Sequence, residues 1–147
     1  MNIKLRVANL VKKHGTSNPY LLADGLDISV FRIKLPMAIR GLLVKPLRRK
    51  IILLNEQLSD EAGKIVICHE IGHVRLHAGY GYHWHPDRAY FVPCRREREA
   101  NLFAAHLISH SSHDIDSNLV AEIISSKMPD PKLVHQILTE LILSKGA

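Results

Sequence analysis

The pentad His69-Glu70-Ile71-Gly72-His73 constrains this chain more than any other stretch, because it lies inside a helical pattern running from Ser59 to about His77. Ser59 is a good N-cap, and Asp60 and Glu61 favour the positive end of the helix that follows. Residues four apart share a helix face, so the two imidazoles can reach one ion. Neutral imidazole suits zinc, at roughly 2.0–2.1 Å per bond. Glu70 adjoins the first histidine at an angle suited to a water rather than to the metal, which makes it the candidate catalytic general base.

Two histidines leave such a site incomplete, since catalytic zinc takes three protein ligands and keeps a position for water. His77 is nearest in sequence, but eight residues of straight helix separate it from His69 by ~12 Å. The glycine-containing extension that folds a third histidine back is absent. His77 is read instead as a residue that supports the site or closes the helix.

The segment Glu97-Arg98-Glu99-Ala100-Asn101 offers carboxylates. At ~100° per residue, Ala100, Phe103, Ala104, Leu107 and Ile108 form an apolar face. Glu97 falls on its edge, and Glu99 on the opposite side with Arg98 and His106. A carboxylate directed toward the core needs a charged partner, whereas a solvated one does not. Glu97 is therefore the expected third ligand, with Glu99 as the alternative. Asn101, one turn on, can orient a zinc-bound histidine.

The remaining pattern is α+β. Ile3, Val7, Leu10 and Val11 mark a first helix ending at Gly15, and Asn18-Pro19 opens a second that Gly25 ends. Ile28–Leu35, Gly41–Val44 and Lys50–Leu54 read as strands of a small antiparallel sheet, beside a helical bundle that carries the motif. Gly79–Pro93 reads as a loop anchored by Trp84, in which Tyr80, Tyr82, His83 and His85 are available oxyanion donors. Arg95 to about His110 is helical, and Asp116 and Asp130 are expected caps of two closing helices, the second starting at Pro131. His106, His110 and His113 read as a solvated helix end.

The 147 residues suit a single domain, 1–147, and 46% hydrophobic with 23% charged residues is ordinary for a globular protein. Charges interrupt the apolar positions from Met1 to Arg6, unlike a signal peptide, and no apolar run approaches the ~18 residues of a membrane span. A cytoplasmic protein without membrane association is expected. Cys68 and Cys94 read as ordinary thiols. The net charge of +6 is scattered, Lys45–Lys50 and Arg95-Arg96 excepted, and no recognition-helix motif accompanies it. Direct nucleic-acid binding is therefore not expected.

Several blocks carry a resemblance in their order and spacing. They are Asn18-Pro19-Tyr20 with Leu22-Ala23, Ile51-Ile52-Leu53-Leu54-Asn55, Cys68-His69-Glu70-Ile71-Gly72-His73 with Leu76-His77, and Glu97-Arg98-Glu99-Ala100-Asn101-Leu102-Phe103-Ala104-Ala105. Together, over roughly residues 18–108, they resemble the ImmA/IrrE family. The resemblance implies a gluzincin-like zinc metallo-endopeptidase of the prophage or mobile-element type, whose protein substrate is a helix-turn-helix transcriptional repressor. Cleavage would derepress transcription. The order E-x-x-A-[DN] also occurs in membrane CAAX-processing metallopeptidases, where the first glutamate binds zinc, in agreement with Glu97. Leu107-Ile108-Ser109-His110 departs from the Leu-Met-Pro-like helix end of many members. The competing reading is a non-proteolytic metal-binding module that controls a repressor by contact alone. The intact Glu70 favours the enzyme.

Overall fold

The computed structural model describes residues 1–46, 48–93, 96–110 and 129–146, and side chains up to residue 141 of the last segment. In chain order its elements are α1 (Ile3–His14), α2 (Pro19–Gly25), β1 (Ile28–Ile33), β2 (Gly41–Pro46), β3 (Lys50–Asn55), α3 (Asp60–Leu76), β4 (Gly81–Trp84), β5 (Ala89–Val92), α4 (Glu97–Ser109) and α5 (Pro131–Gly146).

Short polar contacts fix where the helices begin. Asn18 Oδ1 accepts from the Tyr20 amide at 2.9 Å, with Pro19 in the first turn of α2. Ser59 Oγ accepts from the Ala62 amide at 3.1 Å and opens α3. Asp130 Oδ1 accepts from the Lys132 amide at 2.9 Å at the start of α5. Gly15 closes α1 in the left-handed conformation, its amide donating to Val11 O at 2.8 Å. The expected cap Asp116, together with Cys94 and His113, lies outside the described residues.

The sheet corrects two expectations. It has five strands in the order β1-β3-β2-β4-β5 among the described residues, and it is mixed rather than antiparallel. β1 runs parallel to β3, because β3 inserts between β1 and β2 instead of leaving them adjacent. The expected loop 79–93 supplies the antiparallel hairpin β4–β5, and β4 joins β2 in parallel. Gly81 permits that junction: at φ 125° it passes so near β2 that a β-carbon would lie 3.0 Å from Leu43 O.

Side chains alternate across the sheet as the pleat requires. Ile28, Leu43, Ile52 and Leu54 pack with α1, α2, α3 and α4 on one face. Leu42, Val44, Leu53, Tyr82 and Trp84 pack on the other face with Val134 and Leu138 of α5. The sheet is thus sandwiched, with α5 across it from the motif helix rather than in one bundle beside it. Buried Asn55, at the end of β3, ties down the 34–40 connection by donating to the carbonyls of Leu35 (3.2 Å) and Ile39 (3.0 Å). That satisfies backbone acceptors which burial would otherwise leave costly. No helix among the described residues is long and apolar enough to cross a membrane.

Candidate metal centre

α3 packs against β2 and β3 on one side, where Val66 lies against Gly41, and against α4 on another, where Gly72 meets Phe103. α4 answers with Ala100, Phe103, Ala104 and Leu107, all buried. This packing brings the first turn of α4 against the C-terminal half of α3, where three donor atoms converge. His69 Nε2 and His73 Nε2 are 3.1 Å apart. Glu97 Oε2 is 3.1 Å from His73 Nε2 and 3.8 Å from His69 Nε2. Among the described residues these three side chains form the group able to hold a metal ion, and Glu99 is not part of it.

The donor set fits a small divalent cation. Tetrahedral bonds of about 2.0–2.1 Å put neighbouring donors about 3.3 Å apart, and the observed separations bracket that value. Protonation states agree. Burial, reinforced by His73, pushes His69 down to about 4, and burial also lowers His73, so both rings are neutral at neutral pH. The hydrogen bond with His73 holds Glu97 below the usual carboxylate range, in its ionised form. Two neutral imidazoles and one carboxylate are what a cation of this kind requires.

Glu70 is buried beside this cluster, and its Oε2 has no hydrogen-bond partner. Burial and the nearby Glu97 charge push its carboxyl up to about 8. A cation close by would offset both effects and favour its ionised form. Asn101 raises the proton affinity of His69 through a side-chain interaction, although His69 Nδ1 and Asn101 Oδ1 lack a regular hydrogen bond.

The two glutamates reach these positions differently from the sequence expectation. Glu97 is half exposed, at 50%, and Glu99 is the more covered of the two, at 22%. Glu97 opens α4, so no preceding turn covers it, and it faces the donors of α3 from the rim. Glu99 turns toward the end of α3, where His77 Nε2 lies 3.2 Å from its Oε1. His77 is the C-cap residue of α3, and its Nδ1 is 3.1 Å from His73 Nδ1. Sequence reasoning left this link open; the i, i+4 spacing of His73 and His77 was its available signal.

Tyr80 lies flat on His73, with ring centroids 3.6 Å apart and planes 12° from parallel. Tyr82 donates its hydroxyl to Pro129 O, and His83 Nε2 lies 2.8 Å from Gly79 O. Trp84 is buried on the α5 face, as its anchoring role required. Cys68 is a buried free thiol, pushed up to about 12 by burial.

Residues 23–109 match the family profile described as the IrrE N-terminal-like domain, a peptidase family. The chain belongs to the ImmA/IrrE family. Over 106 residues it is 37% identical to a protein named uncharacterized immunity region protein 2 from Bacillus phage phi105, covering 72% of this chain and 67% of that protein. Over 108 residues it is 33% identical to metallopeptidase ImmA of Bacillus subtilis (strain 168), covering 72% of this chain and 62% of that one. The matched region thus spans about two thirds of the length of these curated relatives. No solved structure matches the chain. Membership of the ImmA/IrrE family, one of metallopeptidases, agrees with a divalent cation among His69, His73 and Glu97.

Proposed function

We propose that this chain is a zinc-dependent endopeptidase that cleaves a helix-turn-helix repressor of a prophage or mobile element and so derepresses transcription. The observation that supports it is the convergence of His69, His73 and Glu97 beside a buried carboxyl, Glu70, with an unpartnered oxygen. In this reading His69, His73 and Glu97 hold zinc in a gluzincin-like arrangement, two histidines from one helix and a glutamate from the next. Residues 1–147 act as one metallopeptidase domain in the cytoplasm. The immunity-region name of the phage relative supports a repressor as the protein substrate.

Bound zinc supplies a Lewis acid that lowers the pKa of water toward ~7 and polarises a carbonyl. Glu70 accepts one proton from the attacking water as its oxygen bonds to the scissile carbonyl carbon. It then returns that proton to the leaving amine as the C–N bond breaks. The apolar packing around Glu70 keeps its carboxyl out of bulk solvent between the two transfers. His73, fully buried, fixes the inner edge of the site, and half-exposed Glu97 leaves the outer edge open to a polypeptide. A module acting by contact alone would have no use for a desolvated carboxyl beside the donors.

The test pairs zinc quantification with cleavage of helix-turn-helix repressors from the same genome, by wild type and Glu70→Gln. One zinc per chain in both proteins, with cleavage only by wild type, is the expected result. Equal cleavage by both would end the general-base assignment, and zinc binding without cleavage by wild type would favour the contact-only module.

A further inference from the structure

His77 stands outside the three donors but is joined to one of them. Its Nδ1 is 3.1 Å from His73 Nδ1, and its Nε2 is 3.2 Å from Glu99 Oε1. Glu99 in turn lies 3.8 Å from Arg96 Nη1. The His77 side chain is only 10% exposed, so these contacts are shielded compared with an ordinary surface pair. The separation that stops His77 from sharing an ion with His69 places it one turn beyond His73, where ring can meet ring.

The proton positions follow from lone pairs. His73 Nε2 faces His69 and Glu97, and in the metal-free site Glu97 accepts its proton; a metal there takes the Nε2 lone pair, so in the loaded protein the ring proton of His73 sits on Nδ1. Two ring nitrogens 3.1 Å apart share one proton, so His77 Nδ1 is the acceptor. A neutral His77 then carries its proton on Nε2, aimed at the Glu99 carboxylate. Each group sets the tautomer of the next. Tyr80, stacked on His73, restrains the plane of the ring but cannot choose which nitrogen is protonated.

We propose that Glu99 and His77 form a hydrogen-bonded relay that holds His73 with its proton on Nδ1 and its lone pair on Nε2, making both of them positioning residues for the metal. This rests on the metal-site reading above. It also gives Glu99 a role distinct from that of a ligand. Outer partners of this kind are typically worth 10–100-fold in metal affinity.

The test uses the full chain. Zinc affinity is measured by chelator competition for wild type, His77→Phe, His77→Gln, Glu99→Ala and the double variant His77→Phe/Glu99→Ala. Proton positions in the zinc-loaded wild type are read from two-bond ¹H–¹⁵N correlations of the histidine rings. We expect His77→Phe to weaken zinc binding about 10–100-fold. His77→Gln, whose carboxamide can both accept and donate, should recover most of that loss. The double variant should be no weaker than His77→Phe alone, and the spectrum should place the protons on His73 Nδ1 and His77 Nε2. Unchanged affinity in His77→Phe, or a proton on His77 Nδ1, would overturn the relay while leaving the metal site standing. Additive losses would overturn it in favour of Glu99 acting on the metal independently. Failure of wild type to bind zinc would remove both proposals. The wild-type spectrum decides whether or not a variant folds.

Discussion

Gly72 lies so close to Phe103 that a β-carbon on it would sit 3.1 Å from Phe103 Cβ and 3.2 Å from Ala100 O. The glycine inside the histidine pentad therefore sets the spacing of α3 and α4, and with it the distance from the two imidazoles to Glu97. In Gly72→Ala the gain of about 1 kcal/mol in helix propensity offsets part of the crowding. Gly72→Val must push α4 outward and should cost about 1–3 kcal/mol. We expect zinc affinity to fall in the same order, valine well below alanine. Thermal unfolding of the zinc-free variants, with chelator competition on the same samples, checks both halves.

Removing a carboxylate should separate ligand from support. Glu97→Ala takes away a donor that lies 3.1 Å from His73 Nε2, and should weaken zinc by more than the ~10–100-fold of an outer partner. Glu99→Ala should stay within that smaller range. Chelator competition distinguishes the two, and the reverse ranking would place the wrong glutamate on the metal.

Much of this was legible in local sequence, because caps and helical phase are local properties. Ser59 and Asn18-Pro19 begin their helices and Gly15 ends one, as read, and the i, i+4 histidines meet as their spacing requires. What local pattern does not carry is pairing between distant segments. β1 reads equally well as parallel or antiparallel to β3, and nothing in Ile28–Ile33 says that β3 will lie next to it. The four-residue strands Gly81–Trp84 and Ala89–Val92 are too short, and too closely flanked by Gly79, Pro86 and Pro93, to stand out from a loop, and they are strands because β2 offers an edge. Helical phase points to Glu97, but its premise that Glu97 is the buried carboxylate does not hold. Its exposure depends on its place at the helix start, and that of Glu99 on His77, which phase alone does not contain.

Glu70 gives the zinc-free protein a characteristic pH dependence. Its folded carboxyl titrates at about 8, against an ordinary value of 4.5. Between those values the unfolded chain has released a proton that the folded protein keeps, so stability falls as pH rises. His69, depressed to about 4 from 6.5, acts in the opposite sense, its contribution being lost as pH falls below about 6.5. From pH 6.5 to 8 only the Glu70 contribution of these two remains. Zinc-free wild type should lose about 1–2 kcal/mol more than Glu70→Gln across that interval, measured by denaturant unfolding. Parallel pH profiles for the two proteins would contradict the assignment.

α5 offers a control for stability without metal chemistry. Leu138 is buried against the sheet face opposite the one that carries α3. Leu138→Ala should cost about 2–5 kcal/mol of folding stability. Zinc affinity measured well below the melting temperature should stay within about twofold of wild type, since 0.4 kcal/mol is the corresponding free energy at 25 °C. A large loss of affinity would mean that the sheet transmits packing changes to the donors.

The most direct measurement is anomalous diffraction at the zinc edge from crystals of the zinc-loaded protein. The account requires one peak bonded to His69 Nε2, His73 Nε2 and a Glu97 carboxylate oxygen, with His77 and Glu99 outside bonding distance. A peak bonded to Glu99 or His77 instead of Glu97, or none between α3 and α4, would contradict it.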